Sequence, residues 1–251
     1  NHIMKKKNKY VAGIDYSLTS PAICVAKVID NEIKFENCKF HFLKQNKSHK
    51  SLGEVFLAYD DQSLFVAARL YDSNPSGICR QLAPRDDWYG AFDEFADWFS
   101  IDFDSRHDHQ TGFSFAVNAS GVLSDEMVFH DSDYDSDWNA IWEAEVQIDD
   151  KGWNLEMEIP FSNLPFYEHE ELIWGLNITR FIQRKYETVT WVAFPLDVEG
   201  IVSQYGHLYG IKGIYPPAKF EFRPHFMAGV TSYNDIRLKQ MWEPWNHRLN
   251  Y

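Results

Sequence analysis

Between Ala140 and Phe161, apolar and polar residues alternate almost without a break. Trp142, Ala144, Val146 and Ile148 fall in one phase, with Glu143, Glu145 and Gln147 in the other. Trp153, Leu155, Met157 and Ile159 repeat the pattern against Asn154, Glu156 and Glu158. A period of two marks a strand with one buried and one solvated face. Asp149-Asp150-Lys151-Gly152 joins the two arms and predicts a type I turn closed by a G1 bulge. A slip of one residue would send both Trp and their aliphatic neighbours into water, so the register is firmly set. Pro160 ends the second arm. A lone hairpin is not stable, so a second sheet is expected to cover its apolar face.

The same texture starts at Leu52. Glu54 to Asp72 reads as two strands around an Asp60-Asp-Gln-Ser63 turn, and Asn74-Pro75-Ser-Gly77 stops the second. Residues 78–95 predict a loop or short helix carrying Arg85, Trp88 and Tyr89. Strands follow at 97–104, 113–117 and 122–130, then an acidic loop at 131–137 and the central hairpin. Phe161 to Leu164 predicts one helical turn. Later strands are expected at 172–181, 188–194, 208–214 and 220–232. Short strands at regular spacing, with turns rich in Gly, Asp, Asn and Ser, indicate an all-β antiparallel sandwich.

Residues 1–50 differ. They read as a strand from residue 10, a turn at Ser17–Pro21, a second strand over Ala22–Ile29 and a third over 33–43. They contain ten Lys, no Arg and four acids, a charge of +6, whereas the remainder carries −19 and takes nine of its fourteen basic residues as Arg. That jump, and the polar join at Lys44–Ser51, predict a boundary. The organisation expected is an N-terminal β-hairpin segment at 1–50, foreign to the domain or standing in for its first strands, a sandwich at 52–215, and a linker with the start of a further region at 216–251.

For the whole chain of 251 residues the net charge is −13, which argues against a nucleic-acid surface. Three Cys are too few for a disulfide framework. No run of about 18 apolar residues is present to span a membrane as a helix. The basic start lacks the apolar segment of a signal peptide. Aromatics make up 16% and include nine Trp. Such rings build cores, but they also stack on sugars.

Several strings occur jointly and in order: Ala58–Asp72, Ile101–Asp104, Phe115–Asn118 with Gly121, Trp138–Glu143, Gly152–Phe161 with Leu164, Trp174–Asn177 with Arg180, and Ser203–Gly206. Together they resemble the family 9 carbohydrate-binding-module-like domain of large bacterial outer-membrane proteins, over roughly residues 52–235. The resemblance implies a non-catalytic sandwich that binds mono- or oligosaccharides or polysaccharide, sometimes with structural calcium. It also implies association with glycoside hydrolases and carbohydrate breakdown, and a place in the periplasm or outer membrane beside a barrel whose first strand Lys219–Tyr233 resembles. The expected protein is a monomer. Separately, Val11–Ser20 resembles the opening hairpin of RNase H-like phage resolvases, which would make Asp15 a metal ligand.

Sugar recognition needs an aromatic plate and planar polar groups. Trp142, Trp153 and Trp174 sit in core phase. The better plates are Trp88 and Tyr89 in a polar loop, Trp98 in the polar phase of its strand, and Trp138 beside acids; Arg85, Asn177 and Arg180 could supply hydrogen bonds. Asp131, Asp133, Asp135 and Asp137 place four carboxylates at alternate positions, either a calcium site or a solvated acidic loop. His107 and His109 could ligate zinc but lack a third ligand nearby in sequence, and a turn with two exposed His is the plainer reading. Glu156 and Glu158 share a wet face about 7 Å apart, near the spacing of an inverting glycosidase pair. A glycoside hydrolase and a ligand-free plug of the barrel are the alternatives to a binding module.

Overall fold

The computed structural model describes residues 53–194 and 198–216 in full, and the backbone of residues 10–15, 23–29 and 32–33. The turn expected at 17–21, the extension of a third strand to residue 43, the join at 44–51 and the barrel-like strand at 219–233 lie outside the described residues.

Fourteen strands are described: β1 Tyr10–Asp15, β2 Ile23–Ile29, β3 Glu32–Ile33, β4 Gly53–Tyr59, β5 Ser63–Tyr71, β6 Trp98–Asp104, β7 Gly112–Asn118, β8 Leu123–Phe129, β9 Asp133–Asp135, β10 Glu143–Asp149, β11 Gly152–Pro160, β12 Glu171–Ile182, β13 Glu187–Thr190 and β14 Gly206–Lys212. They form two antiparallel sheets. The first runs β10-β11-β5-β4-β1-β2-β3, and the second β13-β12-β6-β7-β8-β9, with β14 also on β12. The all-β sandwich expected from the alternation is what the chain forms.

The central hairpin lies at one edge of the first sheet. Glu143 pairs with Glu158 and Asp149 with Gly152, leaving Asp150 and Lys151 as the loop. Glycine is required at 152. Its φ is +146°, and a Cβ there would sit 2.0 Å from the Leu70 carbonyl oxygen on β5. Trp153, Leu155, Met157 and Ile159 are buried. They meet Phe99, Ile101 and Phe103 of β6 and Phe113, Phe115 and Val117 of β7 in one core between the sheets. The edge strand β10 is covered less completely: Ala144, Val146 and Ile148 are half-buried.

The sheets are also tied by polar groups. The Tyr59 hydroxyl on β4 donates to the Gly210 carbonyl at 3.1 Å and accepts from the Lys212 amide at 2.8 Å, reaching β14 of the other sheet. Asp60 fixes the β4–β5 turn by accepting from the amides of Gln62 and Ser63. At the far edge of β4, β1 pairs from Tyr10↔Tyr59 to Asp15↔Glu54, and β2 and β3 extend the sheet beyond it. Asp15, the residue that the nuclease resemblance singles out, thus closes a strand opposite Glu54.

Candidate functional site

The outer face of the second sheet is where polar strand positions and loose aromatics meet. Because side chains alternate, burying Phe99, Ile101 and Phe103 turns Trp98, Ser100 and Asp102 outward. The same rule turns out Ser114 and Ala116 on β7, Ser124 and Glu126 on β8, and Asn177, Thr179 and Phe181 on β12. Register then lines them up. Asn177 pairs with Asp102, Asp102 with Ser114, and Ser114 with Glu126, so four polar side chains form one row across four strands. The next row, Thr179-Ser100-Ala116-Ser124, is small. Small side chains leave a hollow, and larger ones wall it. The result is a cleft of about 150 Å³ with Trp88 and Trp98 at one end, Phe194, Ile201 and Tyr205 at the other, and Tyr134 of β9 alongside.

A short helical turn, Trp88–Phe92, delivers Trp88. The Asp87 carboxylate caps it by accepting from the Ala91 amide at 2.9 Å, and a Cβ at Gly90 would fall 2.3 Å from that carboxylate. The Trp88 ring lies 4.9 Å from Trp98 and 5.1 Å from Phe92. Trp98 stacks on Phe181 at 5.6 Å and donates its indole N–H to Asp93 at 2.7 Å, so the plate is held in place. At the other end Phe194 stacks on Tyr205 at 6.5 Å. Asn177 positions that wall: its amide oxygen accepts from the Val192 amide at 3.0 Å, and its nitrogen donates to the Val192 carbonyl at 3.4 Å.

The two acids of the row are unusual. Burial pushes the Asp102 carboxyl up to about 6, against hydrogen bonds from Ser114 and Ser100. Burial, then the neighbouring Asp102 and Asp86, pushes Glu126 up to about 7. Glu126 is 4% exposed, and its Oε1 is buried without a hydrogen-bond partner among the described residues. Burial, with Asp102 and Glu126 next, moves the Tyr134 phenol up to about 12. Perturbed acids in a cleft make it a candidate functional site, and a buried acceptor left unsatisfied offers a place for a further donor.

Of the candidates read from sequence, Trp88, Trp98 and Asn177 line this cleft, and Tyr89 stands beside them, 77% exposed. The other three lie elsewhere. Trp138 packs on Phe113 and Phe115 at 5.4 and 5.8 Å, against the core. Arg85 donates to Asp125 and to the Ala140 carbonyl. Asp125 also accepts from the Ala140 amide and the Trp142 indole, so Arg85 belongs to the joint that anchors the central hairpin. Arg180 is 1% exposed and donates to the Tyr71 carbonyl at 2.8 Å. The sequence reading does not single out Glu126, Tyr134, Phe194 or Tyr205.

Three of the four loop carboxylates have separate tasks. Asp131 accepts from the amides of Ile201 and Ser203 and from the Ser203 hydroxyl. Burial acts to raise its pKa, but those bonds outweigh it and hold the carboxyl below its usual range. Asp133 pairs with His130 at 3.4 Å, and Asp135 accepts from the Asp137 amide. The structure does bring a third imidazole to the His107–His109 turn: the His207 ring on β14 lies 5.3 Å from His107 and 6.4 Å from His109. Among the described residues, however, no group of three or more His, Cys, Asp or Glu side chains is arranged to hold a metal ion. Glu156 and Glu158 lie on the outer face of the first sheet, opposite Glu145 and Glu143.

No protein-family model matches the sequence, and no curated protein does. Among the solved structures similar to this chain are two of carbohydrate-binding proteins. One is a family 9 carbohydrate-binding module from Caldicellulosiruptor kristjanssonii in complex with cellotriose, at 14% identity over 72% of this chain and 84% of that one, with a TM-score of 0.44. The other is a provisionally named carbohydrate-binding protein from Bacteroides uniformis, at 12% identity over 62% of this chain and 77% of that one, with a TM-score of 0.51. The second likeness, at that identity, is one of fold: the antiparallel sandwich.

Proposed function

We propose that the chain is a carbohydrate-binding module whose ligand lies in the cleft on the outer face of the second sheet. The observation that carries this is the pairing of a polar row, Asn177-Asp102-Ser114-Glu126, with walls of Trp88, Trp98, Phe194 and Tyr205. A pyranose has apolar faces and a rim of hydroxyls. Rings take the faces, and carboxyl and hydroxyl groups take the rim. The orphaned Glu126 Oε1 is where a sugar hydroxyl would donate. The fold shared with the Bacteroides protein supports the reading.

The test is intrinsic Trp fluorescence and calorimetry with gluco-, xylo- and manno-oligosaccharides. Binding is expected to perturb the emission of Trp88 and Trp98. Trp88→Ala should weaken binding at least tenfold, about 1.4 kcal/mol. Silence across the panel would sink the proposal.

One observation favours hydrolysis as a second reading. Asp102 and Glu126 are two strands apart, which puts their backbones roughly 10 Å from each other, close to the separation of an inverting pair. Following reducing ends in the same mixtures separates the two readings. Release that Glu126→Gln abolishes would make the cleft catalytic.

A further inference from the structure

The ring pair that closes one end of the cleft is also the wall of another. On their far side Trp88 and Trp98 line a second cleft of about 500 Å³, which Phe95, Phe181 and Tyr186 face with their rings and Asp93 and Glu94 with their acids. Trp98 and Phe181 belong to a small buried cluster with Phe92, but two of the aromatics do not. Tyr186 is 86% exposed and Phe95 54%. Tyr186 also occupies the left-handed region, φ 51° and ψ 46°, at the turn between β12 and β13. A bulky residue rarely sits there, and holding one there is unfavourable. The fold spends that strain on a ring that adds little to the core. The ring is nonetheless supported: Tyr186 stands edge-on to Phe181 at 5.7 Å, Phe181 stacks on Trp98, and Trp98 meets Trp88. Four rings in contact thus lead from open solvent to the end of the first cleft.

The direction of this run is fixed by register. Asp102 pairs with Asn177, Ser100 with Thr179, and Trp98 with Phe181, so the second cleft lies beyond the first along β6. Four residues of strand span roughly 13 Å, more than one pyranose ring covers. A ligand that touches both the Asp102–Glu126 row and Tyr186 must therefore be a chain.

The geometry points to a second pyranose-stacking subsite at Tyr186 and Phe95, so that the ligand is a neutral glycan chain crossing the Trp88–Trp98 wall. This rests on the carbohydrate reading above. Neutrality follows from the acids: Asp102 in one cleft, and Asp93 and Glu94 in the other, repel a chain bearing uronate or sulfate groups.

The experiment is calorimetry of the full chain with a series from mono- to hexasaccharide, neutral and uronate. Affinity for the neutral series is expected to rise about tenfold or more once the chain is long enough to cross the wall, and then to level off. Tyr186→Ala, at an exposed position where folding is not at stake, should remove that rise and leave the affinity of the shortest ligand that binds unchanged. The uronate series should bind at least tenfold more weakly. Short sugars binding with no gain on lengthening, or a Tyr186→Ala variant that keeps the full gain, would overturn the second subsite and leave the first standing. Uronate chains binding as tightly as neutral ones would overturn the assigned ligand class. No binding at any length would overturn the carbohydrate reading itself.

Discussion

At the scale of single residues, Glu126 shows what a buried acid costs the fold. Its carboxyl is buried on a sheet face, and its Oε1 lacks a partner among the described residues. Below about pH 4.5 the group is protonated in both the folded and the unfolded chain. Between 4.5 and about 7 the folded chain keeps a proton that the unfolded chain has released. Stability therefore falls as pH rises through that window, and the loss is complete above it. Its size is on the order of 3 kcal/mol. Glu126→Gln keeps the shape and cannot ionise. The variant is expected to match the wild type at pH 4 and exceed it by that order at pH 8, in urea unfolding followed by Trp fluorescence. Identical pH slopes for the two chains would show that Glu126 is solvated enough to ionise freely. A buried acid that costs stability at neutral pH makes sense where a ligand supplies the missing hydrogen bond.

At the scale of elements, the joint between β5 and β12 couples the two sheets. Arg184 makes a two-pronged contact with Asp72, at 2.7 and 2.6 Å, and the buried Arg180 guanidinium lies 3.8 Å from the same carboxylate. Burial acts to raise the Asp72 pKa, but Arg184, the Asn74 amide and Arg180 outweigh it and hold the carboxyl below its usual range. Removing it takes a negative charge from beside a buried positive one. Asp72→Asn is therefore expected to cost on the order of 3 kcal/mol at pH 7. The contribution is present above the ordinary carboxylate range and is lost as pH falls through the lowered value, so the gap should narrow in acid. Thermal unfolding of both chains at pH 7 and pH 3 checks it, and a gap below about 1 kcal/mol at pH 7 would refute it.

The same joint shows what the sequence made legible. Strand parity alone places Arg180 with Trp174, Leu176 and Ile178 on the core side, and Asn177 on the outer side. Reading Arg180 as a sugar ligand set parity aside. Parity likewise put Trp98 outward, and it lines the cleft. Trp138 precedes β10, outside any strand, so no period fixed its face, and only the packing on Phe113 and Phe115 did. Asp102, Ser114 and Glu126 stand on three successive strands, each twelve residues from the next. Each reads as one more solvated position, and only register makes them a row. A faint signal existed: the outward positions Ser100, Ser114, Ala116, Ser124 and Thr179 are small, as a hollow face requires.

At the scale of the whole molecule, the question is what the first fifty residues do for the sandwich. Their charge and composition set them apart, yet β1 pairs with β4 along six positions. Without β1, the strand Gly53-Glu-Val-Phe-Leu-Ala-Tyr59 would present a row of unpaired N–H and C=O groups. It carries one charge, Glu54, and no proline, and Phe56 is 42% exposed on its outer face. An apolar, weakly charged edge is the usual template for pairing with another chain. A chain beginning at Ser51 is therefore expected to self-associate while keeping the core between the sheets, since β4, β5, β11, β6, β7 and β12 all remain. Light scattering would show dimers or larger species where the full chain elutes smaller, with near-ultraviolet circular dichroism retained. Phe56→Lys in the shortened chain should restore the smaller species, because a charge on the open edge blocks further pairing without touching the buried face. If the shortened chain stays at its monomer mass with the same spectrum, β1 is dispensable as a cover, and the edge of β4 is protected by some other part of the fold.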